Sequence, residues 1–333
     1  MSSALARLLD ASDRFDLANR GTVNHLPMAL FALAQLGAPD SRLQEYFGWW
    51  EQNRALPRRP SPRAVAAGLW RNEIGQADMF DALAALFRAR AEAESADALI
   101  GEVYPAVADG VAAAAFHGLI RLAYGVEAGH CGETAAGLAT LCSRHAPLDV
   151  SLEAAPETAS VEAGFVRISE ALGGRRFTGQ GIIGRMQAAA ADLHVVASLS
   201  RPALPPPTLL AELAGIAIRL YWQTADFTVL HLVTTSHAAR VLFGRHPQLL
   251  TQQAADALWL AACAGYASVG APLPQPAEVP EELSAWPEIG AGAIVSNDDH
   301  VIKMTYTCRS EEAHYRDPIY RAVAARLVAA GKS

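Results

Sequence analysis

PAVADGVAAAAFHGLIRLAYG, residues 105–125, is the stretch on which the fold turns. Alanine has the highest helix propensity, and the larger apolar residues recur at helical spacing. The segment predicts one long helix. It is apolar on nearly every face, so other helices must surround it. Asp109, His117 and Arg121 interrupt it before it reaches membrane-spanning length.

The same periodicity extends outward on both sides. NHLPMALFALAQLGAP (24–39) predicts a helix ended by Gly37 and Pro39, with Asn24 as its cap and Pro27 in its first turn. DSRLQEYFGWWEQN (40–53) predicts a second, capped by Asp40 or Ser41, before the turn-rich LPRRPSPR (56–63). Further helices are predicted near 74–97, 129–146, 161–172, 181–197, 207–220, 247–268 and 312–330. The proline-rich runs at 201–207 and 272–283 are connectors, too short to isolate an independent domain. DFTVLHLVTT (226–235) and GAIVS (292–296) are β-branched enough to read as helix or strand. With no βαβ alternation and no internal repeat, the expectation is an all-α, mostly helical protein. It forms a single large domain over residues 1–333, in one lobe or two.

Composition narrows the function. A chain of 333 residues, 51% hydrophobic and 18% charged, can bury a large core. A formal charge of −7 argues against a nucleic-acid surface, which is strongly basic. The amino-terminal MSSALARLLDASDRF lacks the long apolar region of a signal peptide. Of the four cysteines, Cys131 and Cys142 could meet across a short loop, but no CxxC pair is present and a chain this long needs no disulfide framework. The expected setting is reduced, cytoplasmic and without membrane or nucleic-acid partners.

GQGIIG (179–184) fits the letters of a dinucleotide-binding fingerprint. That motif must follow a buried strand and precede an acid by about 20 residues. Here ALGGRRFT precedes it and SLSRPAL lies where the acid should be, so the dinucleotide reading is declined. The segment instead predicts a glycine-rich loop opening a helix, able to border a ligand pocket.

The histidines carry more. Ten are present, and His130, His145, His246 and His314 sit in polar or turn-like settings, while His194 ends a predicted helix. His25, His117, His231 and His300 lie among apolar residues in four separate segments. Burying an imidazole costs free energy unless its nitrogens find partners. Each alone would pass for a hydrogen-bonded core residue. Together they could converge on a metal, for which neutral imidazole is the commonest ligand. Imidazoles alone do not choose among Fe, Zn, Cu and Ni.

Lysine occurs only twice, at Lys303 and in the tail at Lys332. In DDHVIKMTY (298–306), Lys303 shares a helix face with His300, three residues earlier. One reading lays its stem over an apolar surface. The other buries it beside the histidines, where desolvation and a cation favour the neutral amine. A neutral amine can add carbon dioxide and become an anionic carbamate ligand, which arginine cannot do.

NHLPMAL (24–30), FHGLIRLAYGVE (116–127), DFTVLHLVTTSHA (226–238) and DDHVIKMTY, in this order, resemble the questin oxidase family. That resemblance implies an oxygenase performing Baeyer–Villiger-like oxidation and cleavage of a polycyclic aromatic quinone or phenol. O2 is the co-substrate and NADPH is often named as reductant. It also implies non-haem Fe(II) held by four histidines and a carboxylated lysine. These fall on His25, His117, His231 and His300, with His237 the alternative to His231, and on carboxylated Lys303. Asp226 and Asp299 are candidates to orient the ligating rings, and Tyr124, Tyr306 and Trp222 to line the pocket. Arg121 stands where many relatives have histidine, which the resemblance reads as altered pocket polarity. Two other readings stay open: a metal-dependent hydrolase with a carboxylated lysine, and a non-enzymatic helical carrier of an apolar ligand.

Overall fold

The computed structural model describes residues 2–19 and 23–331. Helix accounts for 68% of it and strand for 4%, so the all-α expectation holds. The helices are α1 (Ser3–Ser12), α2 (Leu26–Leu36), α3 (Asp40–Asn53), α4 (Phe80–Ala93), α5 (Ala96–Val103), α6 (His117–Ala128), α7 (Cys131–Ser143) and α8 (Val161–Leu172). They continue as α9 (Gly181–Ala190), α10 (Leu193–Ser198), α11 (Pro206–Thr224), α12 (Phe227–Arg245), α13 (Gln252–Ser268), α14 (Trp286–Ile294), α15 (Asp299–Tyr315) and α16 (Ile319–Ala330). Among the described residues the named strands form two short ribbons, Phe15–Asn19 antiparallel to Ala55–Pro57 and Glu157–Thr158 parallel to Arg201–Pro202. One apolar cluster runs from Leu5 to Val328 without a break into separate cores. Among the described residues, no helix is long and apolar enough to cross a membrane.

The central segment departs from the sequence expectation. Residues 105–125 are not one helix. Two 3-10 turns, Tyr104–Ala106 and Ala108–Gly110, lead to a left-handed stretch at Ala114, Ala115 and Phe116, with φ of 50°, 55° and 69°. Only then does α6 begin, at His117. Left-handed conformation costs an L-residue roughly 1–2 kcal/mol, so three in succession override the propensity of the alanine run. The turn sets the Ala114 carbonyl against the His117 ring and places Ala114 and Ala115 in the wall of the cavity described below.

Other boundaries moved for local reasons. The 74–97 segment divides where Ser95 caps α5 by accepting from the Ala98 N–H at 3.0 Å. Asp192 likewise caps α10 and divides 181–197. Arg316, at φ 58°, separates α15 from α16 inside the predicted 312–330 helix. Both ambiguous β-branched runs are helical up to Ile294, within α12 and α14. At the start of α2 the cap position falls on His25. Asn24 still contributes, its Oδ1 accepting from the Leu26 N–H at 3.0 Å.

The arrangement that positions the site is a closed ring of four helices: α2 packs on α6, α6 on α12, α12 on α15 and α15 back on α2. Behind it, α6 and α7 form a tight antiparallel pair. A Cβ on Gly125 would meet the Thr134 backbone nitrogen at 2.5 Å, and one on Gly137 would meet the Leu122 Cα at 2.5 Å, so both positions require glycine. Arg42 on α3 pins the loop entering α15, donating to the Ile294 and Ser296 carbonyls at 2.7 Å each and to Asn297 Oδ1 at 2.7 Å.

Candidate metal centre

Each of the four helices in that ring delivers one histidine near its N-terminal end. His25 caps α2, His117 opens α6, His231 lies one turn into α12 and His300 is the second residue of α15. The rings follow the helices in a closed circuit. Centroid separations are 4.6 Å for His25–His117, 5.0 Å for His117–His231, 5.8 Å for His231–His300 and 4.8 Å for His300–His25. Phe227 packs edge-on against His231 and His300 at 4.7 and 4.8 Å.

All four Nδ1 atoms face an oxygen that can only accept. His117 Nδ1 donates to the Ala114 carbonyl at 2.7 Å, which is where the left-handed turn becomes useful. His231 Nδ1 donates to the Phe227 carbonyl at 2.7 Å. His25 and His300 both donate from Nδ1 to Asp299 Oδ1, at 2.9 and 2.7 Å. The proton is therefore on Nδ1 in each neutral ring, and each Nε2 carries a lone pair. His300 Nε2 is buried with no partner. His25 Nε2 and His117 Nε2 approach each other to 2.6 Å. Two lone pairs cannot be held that close in a dry site without a positive charge beside them, either a proton or a metal ion.

Burial works against the proton. Desolvation lowers His25 to about 4, Lys303 adding to the effect and Asp299 only partly opposing it. Burial first, then neighbouring histidines, pushes His117 well below its ordinary value. His231 is likewise pushed well below by burial, against the pull of the Phe227 carbonyl. At His300 burial disfavours the charged ring, but Asp298 and Asp299 outweigh it and raise the pKa. Burial also opposes ionisation of Asp299, yet His25 and His300 hold it well below the carboxylate range. The imidazoles of His25, His117 and His231, held neutral by burial, together with the unpartnered Nε2 of His300, thus fit a divalent transition-metal ion.

Lys303 is buried, 3% exposed, so it does not lie over a surface. Among the described residues no carboxylate comes within ion-pair distance of its amine. Desolvation lowers it to about 8, with Asp299 and Asp298 opposing. Distance alone groups His25, Asp299 and His300, each offering an atom within 4.8 Å of the others. That grouping would make Asp299 a ligand. Its Oδ1 already accepts from two Nδ1–H groups, which favours an orienting role, leaving the Nε2 atoms as the donors.

A cavity of about 400 Å³ opens onto three of the rings, His25, His117 and His231. Ala114, Ala115, Ile182, Ile183 and Phe227 give it apolar walls. The GQGIIG loop borders it, as its glycine-rich opening of a helix suggested, through Gly181 and the first turn of α9. A larger recess of about 650 Å³ near Asp149 and Asp256 has none of the four histidines in its walls.

Several expected site residues lie elsewhere. Asp226 caps α12, accepting from the Thr228 N–H at 2.8 Å, and faces Arg176 at 3.6 Å. Arg121 is buried in a two-point pair with Glu133 at 2.8 and 3.1 Å, fastening α6 to α7, and does not line the cavity. Trp222 lies under Arg326 at 4.1 Å. Tyr124 and Tyr306 pack on Phe31 and on His237, outside the cavity. His237 is two turns beyond His231 in a different environment, bonded through Nδ1 to Glu311 at 2.6 Å and facing Glu127 at 3.6 Å. Burial alone would lower it, but the two carboxylates raise it to about 9, a value suited to an imidazolium. The four cysteines are free thiols. Conversely, the Ala114 carbonyl, Phe227 and Arg185 were not legible as site residues. Only the glycine loop preceding Arg185 gave a signal in the sequence.

No curated protein matches the chain. Residues 22–308 match the family described as Questin oxidase-like. The matched span contains all four histidines, Asp299, Lys303 and the cavity walls, and the family's name is that of an oxidoreductase. The match covers most of the chain, and the chain belongs to the questin oxidase-like family.

Proposed function

We propose that the chain is a mononuclear non-haem iron oxygenase acting on a polycyclic aromatic quinone or phenol. His25, His117, His231 and His300 would hold Fe(II) through Nε2, with carboxylated Lys303 as the fifth ligand. The observation that carries this reading is the 2.6 Å approach of the His25 and His117 Nε2 lone pairs, each fixed by an acceptor on Nδ1. When bound, the iron supplies the redox chemistry through which O2 reacts with an electron-rich ring.

The protein's own groups have separable tasks. Asp299 and the two backbone carbonyls hold the proton on Nδ1 of each ring, so the imidazoles stay in one tautomer. The largely apolar walls suit an aromatic ring system, which supports insertion of oxygen or ring cleavage over hydrolysis. Four helix N-termini surround the site, and their partial positive charges disfavour a bound cation. An anionic ligand would offset this, and a carbamate on Lys303, whose amine burial brings down to about 8, would supply one. NADPH, where reductant is needed, would act from solution, since no dinucleotide motif is present. A hydrolase with a bridging carboxylated lysine needs two metals and several acids. Among the described residues Asp299 is the only carboxylate grouped with the histidines. A metal-free carrier leaves the facing lone pairs unexplained.

The test is metal analysis of the wild type and of Lys303→Ala, each prepared with and without dissolved carbon dioxide. About one iron per chain is expected in the wild type, falling on removal of carbon dioxide and in the variant. Equal iron in all four preparations would exclude the carbamate, and no metal in any would remove the oxygenase reading.

A further inference from the structure

Arg185 is the unexplained charge in the cavity wall. It follows the GQGIIG loop on the first turn and a half of α9, and among the described residues it is the only Arg, Lys, Asp or Glu lining the space. Among the described residues no carboxylate lies within ion-pair distance of it. Among the described residues its side chain donates from Nη2 to the Thr228 hydroxyl at 2.9 Å, a neutral partner that fixes the guanidinium against the start of α12. Arg185 is half-buried, and an arginine set over apolar walls is commonly neutralised by an acid, because its guanidinium loses part of its hydration there.

The remaining walls point the same way. The cavity meets the N-terminal ends of α6, α9 and α12, at His117, Gly181 and Phe227. At α9 no side chain caps the free N–H groups of the first turn. Helix N-termini carry partial positive charge and suit anions. The innermost wall is His25, 1% exposed, whose Nε2 lone pair faces only that of His117. The space is thus apolar in lining and positive in field, with a planar two-point donor at one side and the imidazole ring at the other.

We propose that Arg185 is a specificity-determining residue that binds an anionic oxygen of the substrate, so that the enzyme takes aromatic acids or ionised phenols in preference to neutral quinones. The assignment rests on the cavity being the substrate site of the centre above. The guanidinium would donate to the carboxylate or phenolate oxygen, and the apolar walls would carry the ring toward the histidines. Arg185 then sets orientation and charge preference and takes no part in the chemistry.

The experiment compares two probes of one shape, anthraquinone-2-carboxylate and anthraquinone-2-carboxamide, binding to metal-loaded protein by visible absorption. Wild type is expected to hold the carboxylate roughly 10- to 100-fold more tightly, the range of one charge-assisted hydrogen bond. Arg185→Gln, which keeps a donor for Thr228, should lose that preference, while Arg185→Lys should keep part of it. Circular dichroism and metal content on the same samples separate this from misfolding and from failure of the metal reading. Preference shown by protein that takes up no metal would leave Arg185 standing and remove the iron. Equal binding of both probes in the wild type, no binding of the carboxylate, or a preference that survives Arg185→Gln overturns the proposal.

Discussion

Asp299→Asn is the substitution that tests the site most sharply. One carboxylate oxygen takes the Nδ1–H of both His25 and His300, at 2.9 and 2.7 Å, in a buried position. Asparagine keeps the shape but not the charge. Its amide oxygen can serve one ring weakly, and its NH2 group, turned toward the other, sets donor against donor. Hydrogen bonds to charged groups contribute about 1.5–3 kcal/mol and neutral ones nearer 1, so weakening two removes about 2–3 kcal/mol. At 1.4 kcal/mol per decade that is roughly 100-fold in metal affinity, the upper end of the range for orienting partners. The helix itself should survive, because Asp298, not Asp299, caps α15 by accepting from the His300 and Val301 N–H groups at 2.8 and 3.3 Å. The assay is an anaerobic titration of metal-free protein with Fe(II), or with Co(II) as a spectroscopic stand-in, against a chelator of known affinity. Asp226→Asn is the control and should leave affinity unchanged, since Asp226 only caps α12. A change below about 3-fold in Asp299→Asn would mean that the rings are not oriented through this carboxylate, and the ligand assignment would lose its basis.

Removal of metal should expose a pH dependence with two limbs. His25, lowered from 6.5 to about 4, and His117 and His231, also lowered, are neutral in the fold. Unfolding lets them take up protons, so metal-free protein should lose stability as pH falls below about 6.5, with a slope approaching three protons. His237, raised from 6.5 to about 9, behaves oppositely: its contribution is complete below 6.5 and is lost as pH rises through 9. Thermal melts across pH 5–9, with His237→Gln flattening the alkaline limb, check both; a flat profile refutes the burial argument. Gly137→Ala should destabilise the chain by about 2 kcal/mol or more, because its Cβ would strike the α6 backbone at 2.5 Å and overpacking against backbone relaxes poorly. A melting temperature equal to wild type would show that the α6–α7 pair can separate without cost.

The sequence by itself determined that the protein is helical, and which side chains were out of place in it. A histidine in AAAAFHGLIRLAY or FTVLHLVTTSH, and the only lysine in the body of the chain, are chemically conspicuous because burial of a polar group demands a partner. What it could not determine was the partner. Asp299 and Asp226 looked equivalent as acids beside histidines, yet one bridges two rings and the other caps a helix. His237 looked like a second chance at His231, yet two more turns of α12 carry it to Glu311 and Glu127. The alanine run before His117 reads as helix because propensity is local. The left-handed turn there sets the Ala114 carbonyl against the His117 ring, a side-chain contact that helix propensity does not encode. Charge state, tautomer and the direction of each Nε2 depend on atoms brought together from residues 25 to 303, and only tertiary packing decides which of those atoms meet.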